Sequence, residues 1–212
     1  MKFKHIIWDW NGTLVDDTWL FVDIMNGVLK NRNLSPITLQ SYRDIFDFPV
    51  KDYYIKLGFN FAEEPFESSG LDFIKIYDNR KFEPKLFHDT LPTLNILKNL
   101  GYTHSILSAQ NTTTLQQSVK FYNLHNIFDH INGLDDHYAI GKIEQGKNLI
   151  QNLNYNKNEI IMIGDTKHDY EVSQAIGVSC FLIDRGHNST ERLKSKQDSV
   201  FSSFSNVLEE LS

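Results

Sequence analysis

The sequence predicts an α/β protein with a Rossmann-like parallel sheet and a smaller helical insertion after the first strand. Three observations support this prediction. Short apolar runs stop at a polar or turn residue, helical patterns alternate with these runs, and one long stretch has helical spacing without any strand. Because strands that alternate with helices build βαβ units, the strands are expected to run parallel.

Composition excludes several classes of protein. The chain has 212 residues, a net charge of -6 and one cysteine. An acidic chain argues against a basic nucleic-acid interface, and a lone cysteine excludes both a disulfide framework and a cysteine-rich zinc site. No apolar run approaches the roughly 20 residues that cross a bilayer, and the N-terminus lacks a secretory pattern. We therefore expect a cytoplasmic protein without nucleic-acid or membrane partners.

Four short apolar runs predict the buried strands, because each of them ends abruptly at a polar or turn residue. They cover residues 3–8, 102–107, 160–163 and 180–183. The segments between and after them show apolar residues at helical spacing, with Gly101 and Gly177 as C-terminal stops. The predicted helices cover residues 90–100, 112–122, 144–153, 168–176 and 204–211.

Residues 16–84 break this rhythm. The stretch is rich in aromatic and aliphatic residues at helical spacing and contains no clear strand. Proline and glycine divide it into about four short helices, at Pro36, Pro49, Gly58, Pro65 and Gly70. We therefore predict an α/β core formed by residues 1–15 and 85–212, and a helical domain formed by residues 16–84.

Acidic and polar residues follow the predicted strands. Asp9, Ser108 and Asp165 end three of them, and Asp169 comes one helical turn after Asp165. Ligands of parallel sheets bind just outside the carboxyl ends of the strands, where these side chains would meet. Three nearby carboxylates repel each other unless a cation lies among them, and oxygen ligands favour Mg²⁺. Lys142, ahead of the third strand, could balance the remaining charge.

Four segments carry a resemblance to the haloacid dehalogenase (HAD) superfamily. Residues 9–16 (DWNGTLVD) resemble its first motif, residues 106–109 (ILSA) its second, Lys142 its third and residues 163–169 (IGDTKHD) its fourth. The insertion 16–84 lies where that family places a helical cap of the C1 type. The resemblance is in particular to phosphoglycolate-phosphatase-like members, and it implies the HAD fold.

The resemblance implies how a metal and a nucleophile would be held. Asp9 would attack phosphorus and form an aspartyl-phosphate. Mg²⁺ would be held by the other oxygen of Asp9, the backbone carbonyl of Asn11, Asp165 and Asp169.

The same resemblance implies a phosphate site. Ser108 and nearby backbone N–H groups, including that of Ala109, would bind a phosphoryl oxygen. Lys142 would orient Asp9 and offset charge on the phosphoryl group. The expected function is Mg²⁺-dependent hydrolysis of a small phosphorylated metabolite, with phosphoglycolate as the example that the resemblance suggests. The expected oligomeric state is a monomer or a homodimer.

One position departs from the family pattern. Family phosphatases usually carry a second aspartate two residues after the nucleophile, where this chain has Asn11. An amide cannot exchange the proton that the leaving group needs, and such help is worth about 10²–10⁴ in rate. Asn11 therefore predicts a slow phosphatase, a good leaving group, a replacement acid or a different reaction. Candidate replacements are Asp16, Asp17 and His168.

Three further functions stay open. A phosphate- or metal-binding protein with weak or no turnover would explain Asn11. Phosphonate hydrolases of the superfamily have a small residue there and a Schiff-base lysine in the cap, for which the candidates are Lys30, Lys51, Lys56 and Lys75. Haloacid dehalogenation needs no metal and would leave Asp165 and Asp169 unexplained.

Several other residues are interpreted as structural. Lys147 is a rival to Lys142 but falls in a predicted helix, and His187 is expected to be an ordinary loop residue. The aromatic residues of the insertion are interpreted as core, as for Phe21, Tyr42, Phe46 and Tyr53.

Overall fold

The computed structural model describes residues 2–134, 141–196 and 199–211. The strands are β1 (His5–Trp8), β2 (Val15–Asp16), β3 (Lys85–Leu86), β4 (Thr103–Asn111), β5 (His130–Leu134), β6 (Ile160–Gly164), β7 (Ser179–Ile183) and β8 (Val200–Phe201). The helices are α1 (Thr18–Lys30), α2 (Leu39–Ile45), α3 (Val50–Lys56), α4 (Phe66–Arg80), α5 (Thr90–Asn99), α6 (Thr112–Phe121), α7 (Lys142–Asn152), α8 (Lys167–Ile176), α9 (Thr190–Lys194) and α10 (Phe204–Leu211). None of the described helices has the length and apolar character that a bilayer span requires.

The main sheet is parallel, as predicted. Its six strands lie in the order β5-β4-β1-β6-β7-β8, and every neighbouring pair is parallel. β1 lies between β4 and β6, and all four of its residues are buried. A strand that is buried on both faces needs a continuous run of buried residues rather than an alternation, which is what β1 and β6 show.

Helices cover both faces of this sheet. Successive residues of β1 point to opposite faces, so Trp8 lies in one apolar cluster with Leu94 of α5 and Phe204 of α10, whereas Ile7 lies in another with Leu149 of α7. The carboxyl edge of the sheet is left open between these two layers. This edge is where residues following β1 and β6 can meet a ligand.

The insertion contains four helices, α1–α4, between the short strands β2 and β3, which pair antiparallel. These helices bury an apolar cluster of their own that includes Leu20, Ile24 and Tyr42. Two of the helices are longer than expected, with 13 residues in α1 and 15 in α4. Gly70 lies inside α4 and does not end it, because packing can offset the helix cost of about 1 kcal/mol for one glycine.

The prediction for β4 is wrong at its C-terminal end. The strand continues to Asn111 instead of ending before Ser108. Its pairing with β1 ends at Ile106, and its regular pairing with β5 is interrupted between Leu107 and Asn111. Ser108 therefore lies where the regular pairing of β4 with β5 is interrupted, at the carboxyl edge of the sheet.

The sequence analysis missed β2, β3, β5, β8 and α9. All five span five residues or fewer, and none of them carries the continuous apolar run that marks β1 and β6; β5 is interrupted by Gly133. Gly133 has a packing reason, because a Cβ there would lie 2.6 Å from the Gln110 carbonyl oxygen.

Candidate functional site

Three buried carboxylates meet at the carboxyl edge of the sheet. Asp9 follows β1 and Asp165 follows β6, and the Asp9 backbone N–H donates to the Ile163 carbonyl across 2.9 Å. Asp169 lies in the first turn of α8, which begins just after Asp165. One oxygen of each carboxylate lies within 4.8 Å of the others, and none of the three residues is more than 6% exposed. The sheet register therefore brings together acids that lie over 150 residues apart in the chain.

Lys142 lies between two of these acids. Its Nζ donates to Asp9 Oδ1 and to Asp169 Oδ1, each at 2.6 Å, and the residue is 2% exposed. It is the first residue of α7, which begins two residues before the helix predicted for residues 144–153. A lysine at a helix N-terminus is unfavourable for the helix dipole, so the carboxylates rather than the helix stabilise it there. Lys147 is exposed and pairs with Glu144.

The electrostatics show a shortage of positive charge. Burial raises the pKa of Asp9 well above its ordinary value against the opposing effect of Lys142, and burial also raises the pKa of Asp165. For Asp169 burial acts in the same direction, but Lys142 and a Thr166 hydrogen bond bring its pKa below the ordinary value. Burial disfavours the charged amine of Lys142, yet Asp169 and Asp9 together raise its pKa. The site thus contains one ammonium group, which contacts Asp9 and Asp169, and three carboxyl groups.

Two glycines allow the close packing around Asp165. Its Oδ1 accepts from the Thr13 hydroxyl at 2.7 Å, and its Oδ2 accepts from the His187 backbone N–H at 2.6 Å. A Cβ on Gly12 would lie 2.5 Å from Asp165 Oδ2, and one on Gly186 would lie 2.0 Å from it. Gly12 also has a φ of +73°, which glycine adopts without strain. The glycine after Asn11 is therefore required by the position of the acid.

The donor set fits a hard divalent cation. The cluster offers oxygen ligands only, and two of its three negative charges remain after Lys142 is counted. Asp9, Asp165 and Asp169 are the groups that could hold it.

The sequence-predicted phosphate residues lie beside this cluster. A cavity of about 170 Å³ is lined by Ser108 and Ala109 together with Asp9, Lys142 and Asp169. Asn11 also lines it, and Asp165 is fully buried behind the lining. The Ser108 hydroxyl oxygen accepts from the Gln110 backbone N–H at 3.1 Å, which leaves its own hydrogen free to donate. All seven predicted site residues are thus gathered at one edge of the sheet.

The Asn11 side chain is held by two groups that the sequence did not connect with it. Its Nδ2 donates to Asp17 Oδ2 at 2.5 Å and to the Tyr77 hydroxyl at 3.0 Å. Asp17 is fully buried and also accepts from the Gly12 backbone N–H at 2.9 Å. The Asn11 amide group thus donates to two fixed acceptors, Asp17 and Tyr77, on the side of the cap.

The candidate replacement acids lie around the cavity rather than on its lining. Asp16 is exposed, and Asp17 is buried behind Asn11. His168 packs its ring 4.6 Å from that of Phe48, and burial lowers its pKa. None of the three lines the cavity among the residues that the structure describes.

His187 is a site residue that the sequence analysis missed. It does lie in the loop after β7, as expected, but it is 3% exposed and lines the cavity. Its Nδ1 hydrogen-bonds with the Tyr42 hydroxyl at 2.7 Å, and its Nε2 lies 3.3 Å from Asp17 Oδ1. Burial acts to lower the pKa of His187, but Asp17 raises it overall. The sequence did offer one signal for His187: it follows a predicted strand whose carboxyl end lies at the same edge of the sheet as Asp9 and Asp165.

The cap closes the other side of the cavity with aromatic rings. The sequence analysis interpreted four of these rings as core, and the structure also places them on the cavity wall: Phe21, Tyr42, Phe46 and Tyr53. Tyr42, Phe46 and Tyr53 serve both purposes, since they are buried in the apolar cluster of the cap, and Phe21 packs against that cluster.

Fold and site together define a class of protein: a parallel α/β core whose carboxyl edge holds a lysine-bridged carboxylate cluster beneath a helical cap. A family model described as haloacid dehalogenase-like hydrolase matches residues 6–183. The chain belongs to this family, which confirms the resemblance and the fold class inferred from the sequence.

Individual relatives agree with this assignment. The chain is 26% identical over 118 residues to a phosphoglycolate phosphatase of Aliivibrio fischeri, in an alignment that covers 55% of this chain and 52% of that protein. The chain thus spans about half the length of this curated relative.

Solved structures share the whole fold. A haloacid dehalogenase-like family hydrolase of Streptococcus pneumoniae matches with a TM-score of 0.85 at 20% identity, covering 100% of this chain and 99% of that chain. A protein of Haemophilus somnus described as a predicted phosphoglycolate phosphatase matches with a TM-score of 0.81 at 19% identity and the same coverage. At these identities the similarity establishes the fold.

Proposed function

We propose that this protein is a Mg²⁺-dependent phosphomonoester hydrolase that works through an aspartyl-phosphate on Asp9. The observation that carries the proposal is the environment of Asp9: its Oδ1 lies 2.6 Å from Lys142 Nζ, and an oxygen lies within 4.8 Å of Asp165 and Asp169. Membership of the hydrolase family and the phosphatase name of the curated relative support it.

Lys142 would keep the nucleophile reactive. A carboxylate can attack phosphorus only in its ionised form, and burial opposes ionisation of Asp9. The ammonium of Lys142 acts against that burial effect, and its two short hydrogen bonds fix the direction of the Asp9 carboxylate. The Ser108 hydroxyl, whose hydrogen is free, and the Ala109 backbone N–H would donate to phosphoryl oxygens.

Asp9, Asp165, Asp169 and the Asn11 carbonyl would hold Mg²⁺. When bound, the ion would offset the negative charge of the phosphoryl group and of the carboxylates around it.

Asn11 sets the limit of the proposed reaction. Its amide donates to Asp17 and Tyr77 and has no acidic proton to give to a leaving group. Loss of the substrate alcohol would then occur without acid assistance, and esters of alkyl alcohols would react slowly. The same contacts favour the second candidate function, a phosphate- or metal-binding protein with weak or no turnover.

Phosphonate hydrolysis and haloacid dehalogenation gain no support from the cavity. Among the described residues, Lys142 is the cavity's lysine, and none of the four candidate lysines of the cap lines it. Lys142 is bound to two carboxylates, which does not suit the neutral amine that a Schiff base requires. Metal-free dehalogenation would leave the buried Asp165–Asp169 pair without a role.

The test is release of phosphate from phenyl phosphate with Mg²⁺ and with a chelator. Wild type should release phosphate only with Mg²⁺, and Asp9→Asn should release none. Asp129→Asn is the matched control, because Asp129 is an exposed carboxylate just before β5, away from the carboxyl edge, and it should behave as wild type. Retained activity in Asp9→Asn, or activity that the chelator does not change, would contradict the proposal.

A binding-only protein would give a different result. It would release no phosphate from phenyl phosphate or from acetyl phosphate, while Mg²⁺ would still raise its melting temperature.

A further inference from the structure

The cap side of the cavity is an aromatic wall, formed mainly by Phe21, Phe46, Phe48, Tyr53, Phe66 and Phe73. These rings pack edge-on or tilted against one another, as for Phe46 with Tyr53 at 5.2 Å and Phe21 with Phe73 at 5.3 Å between centroids. Aromatic rings prefer these arrangements with a further ring. The wall therefore offers an apolar, ring-shaped surface to the part of a substrate that lies beyond the phosphoryl group.

This wall offers no cation to a second anionic group. Among the described residues, no lysine or arginine of the cap lines the cavity, and Lys142 is bound to Asp9 and Asp169. The charged cap residue on the lining is an acid, Asp78, whose Oδ1 lies 3.7 Å from Lys81 Nζ. A substrate carboxylate placed here would lose its hydration beside neutral donors such as the Tyr53 hydroxyl but without a cation, which is unfavourable.

The size of the cavity suits one aromatic ring. Its volume is about 170 Å³. An engineered apolar cavity of about 150 Å³ in another protein accommodates benzene. The space therefore takes a phosphoryl group beside the carboxylates and a single ring against the wall.

Asn11 favours the same substrates for an independent reason. Without an acid at this position, the leaving group must depart as an anion. A phenol with a pKa of about 10 leaves far more easily than an alkyl alcohol, whose pKa is close to the value of about 16 for water. The amide held by Asp17 and Tyr77 therefore suits an aryl ester.

From these features we propose that the substrate is the phosphate monoester of a small, uncharged aromatic alcohol, and not a carboxylated ester such as phosphoglycolate. The inference rests on the proposed phosphatase function and specifies its substrate class. The shape and charge of the cap wall select the ring, and Asn11 selects the leaving group.

Four compounds, three phosphate esters and the acyl phosphate acetyl phosphate, separate these two contributions. Phenyl phosphate has the ring and the good leaving group, benzyl phosphate has the ring alone, acetyl phosphate has the good leaving group alone, and phosphoglycolate has neither. We expect kcat/KM for phenyl phosphate to exceed that for phosphoglycolate by at least about 100-fold. Benzyl phosphate should share the low KM of phenyl phosphate but have a kcat lower by about 10²-fold or more.

A cation placed on the wall should change this preference. Ile74 of α4 lines the cavity and is half-buried outside the apolar cluster of the cap, so its side chain can be replaced. Ile74→Lys should raise kcat/KM for phosphoglycolate by about tenfold and lower it for phenyl phosphate. Ile74→Gln, which adds polarity without charge, is the matched control and should not improve phosphoglycolate.

The outcomes separate the substrate class from the activity. A wild type that hydrolyses phosphoglycolate as well as phenyl phosphate overturns the substrate class and leaves the proposed function intact. A wild type that releases phosphate from none of the four compounds overturns the proposed function. Calorimetric titration with two inert phosphonates then still tests the wall: tighter binding of phenylphosphonate than of phosphonoacetate supports it, and equal or weaker binding refutes it.

Discussion

Replacing Asn11 by aspartate should destabilise the protein at neutral pH, although it supplies the acid that the family resemblance leads us to expect at this position. Asn11 Nδ2 lies 2.5 Å from Asp17 Oδ2, and Asp17 is fully buried. Two unit charges at that distance repel by about 7 kcal/mol with an effective dielectric constant of about 20. Keeping one carboxyl protonated at pH 7 against a pKa of about 3.9 costs about 4 kcal/mol. Protonation is the smaller cost and therefore sets the upper limit of the destabilisation.

This destabilisation should depend on pH. In Asn11→Asp the folded-state pKa of one carboxyl is raised above its unfolded value, so stability is retained at low pH and is lost as the pH rises towards the raised pKa. The limit of about 4 kcal/mol at pH 7 falls to about 1.5 kcal/mol at pH 5.

The double variant Asn11→Asp/Asp17→Asn should recover most of this loss. It exchanges the amide and the carboxylate, so that one donor still faces one acceptor across the same contact. The exchanged amide oxygen can still accept from the Gly12 backbone N–H. With an acid restored beside Asp9, turnover of benzyl phosphate should rise by about 10²–10⁴.

The assay is urea unfolding at pH 5 and pH 7 with a chelator present, followed by the fluorescence of the buried Trp8 and Trp10. A single variant as stable as wild type at pH 7 would refute the Asn11–Asp17 contact. If the double variant is stable but turns over benzyl phosphate no faster, another residue already supplies the proton.

Three further predictions concern charge. Lys142→Met should abolish turnover and lower the free energy of unfolding at pH 7 by about 3–5 kcal/mol, because two buried carboxylates lose their partner; normal turnover would contradict this. Mg²⁺ at about 100 times its dissociation constant should stabilise wild type and Asp129→Asn by about 2.7 kcal/mol, and Asp165→Asn much less. An equal shift of the melting temperature in all three proteins would show that Asp165 does not bind the metal. Burial lowers the pKa of His104 to about 4, so its contribution to folding is complete above the unfolded pKa of about 6.5 and is lost as the pH drops towards 4. Wild type should therefore lose stability between pH 7 and pH 5, and His104→Gln should make this loss smaller by about 2 kcal/mol. An equal loss in wild type and variant would contradict this.

The sequence could predict the parts of this protein that continuous apolar runs or regular helical spacing specify. The buried runs before Asp9 and Asp165 are continuous, because β1 and β6 are covered on both faces, and parallel pairing then places both acids at one edge. Short elements such as β8 carry too few residues to form a pattern. Their positions depend on pairing with strands that lie elsewhere in the chain.

Contacts between the cap and the core could not be read from the sequence. The Asn11–Tyr77 and Tyr42–His187 hydrogen bonds each join a cap residue to a core loop. A single sequence contains no periodicity that reports such a pair. The aromatic residues of the cap have the helical spacing of an ordinary core, and only the position of the cap over the sheet edge shows that they also face a cavity.

The most direct test of the central claim is to find where the phosphoryl group goes during turnover. Wild type is mixed with phenyl phosphate and Mg²⁺, quenched in acid within one turnover and digested, and the peptide containing Asp9 is analysed by mass spectrometry. We predict one phosphoryl group on Asp9, absent with a chelator and absent in Asp9→Asn. Rapid phosphate release without any modification of this peptide, together with full activity of Asp9→Asn, would contradict the role of Asp9 as nucleophile.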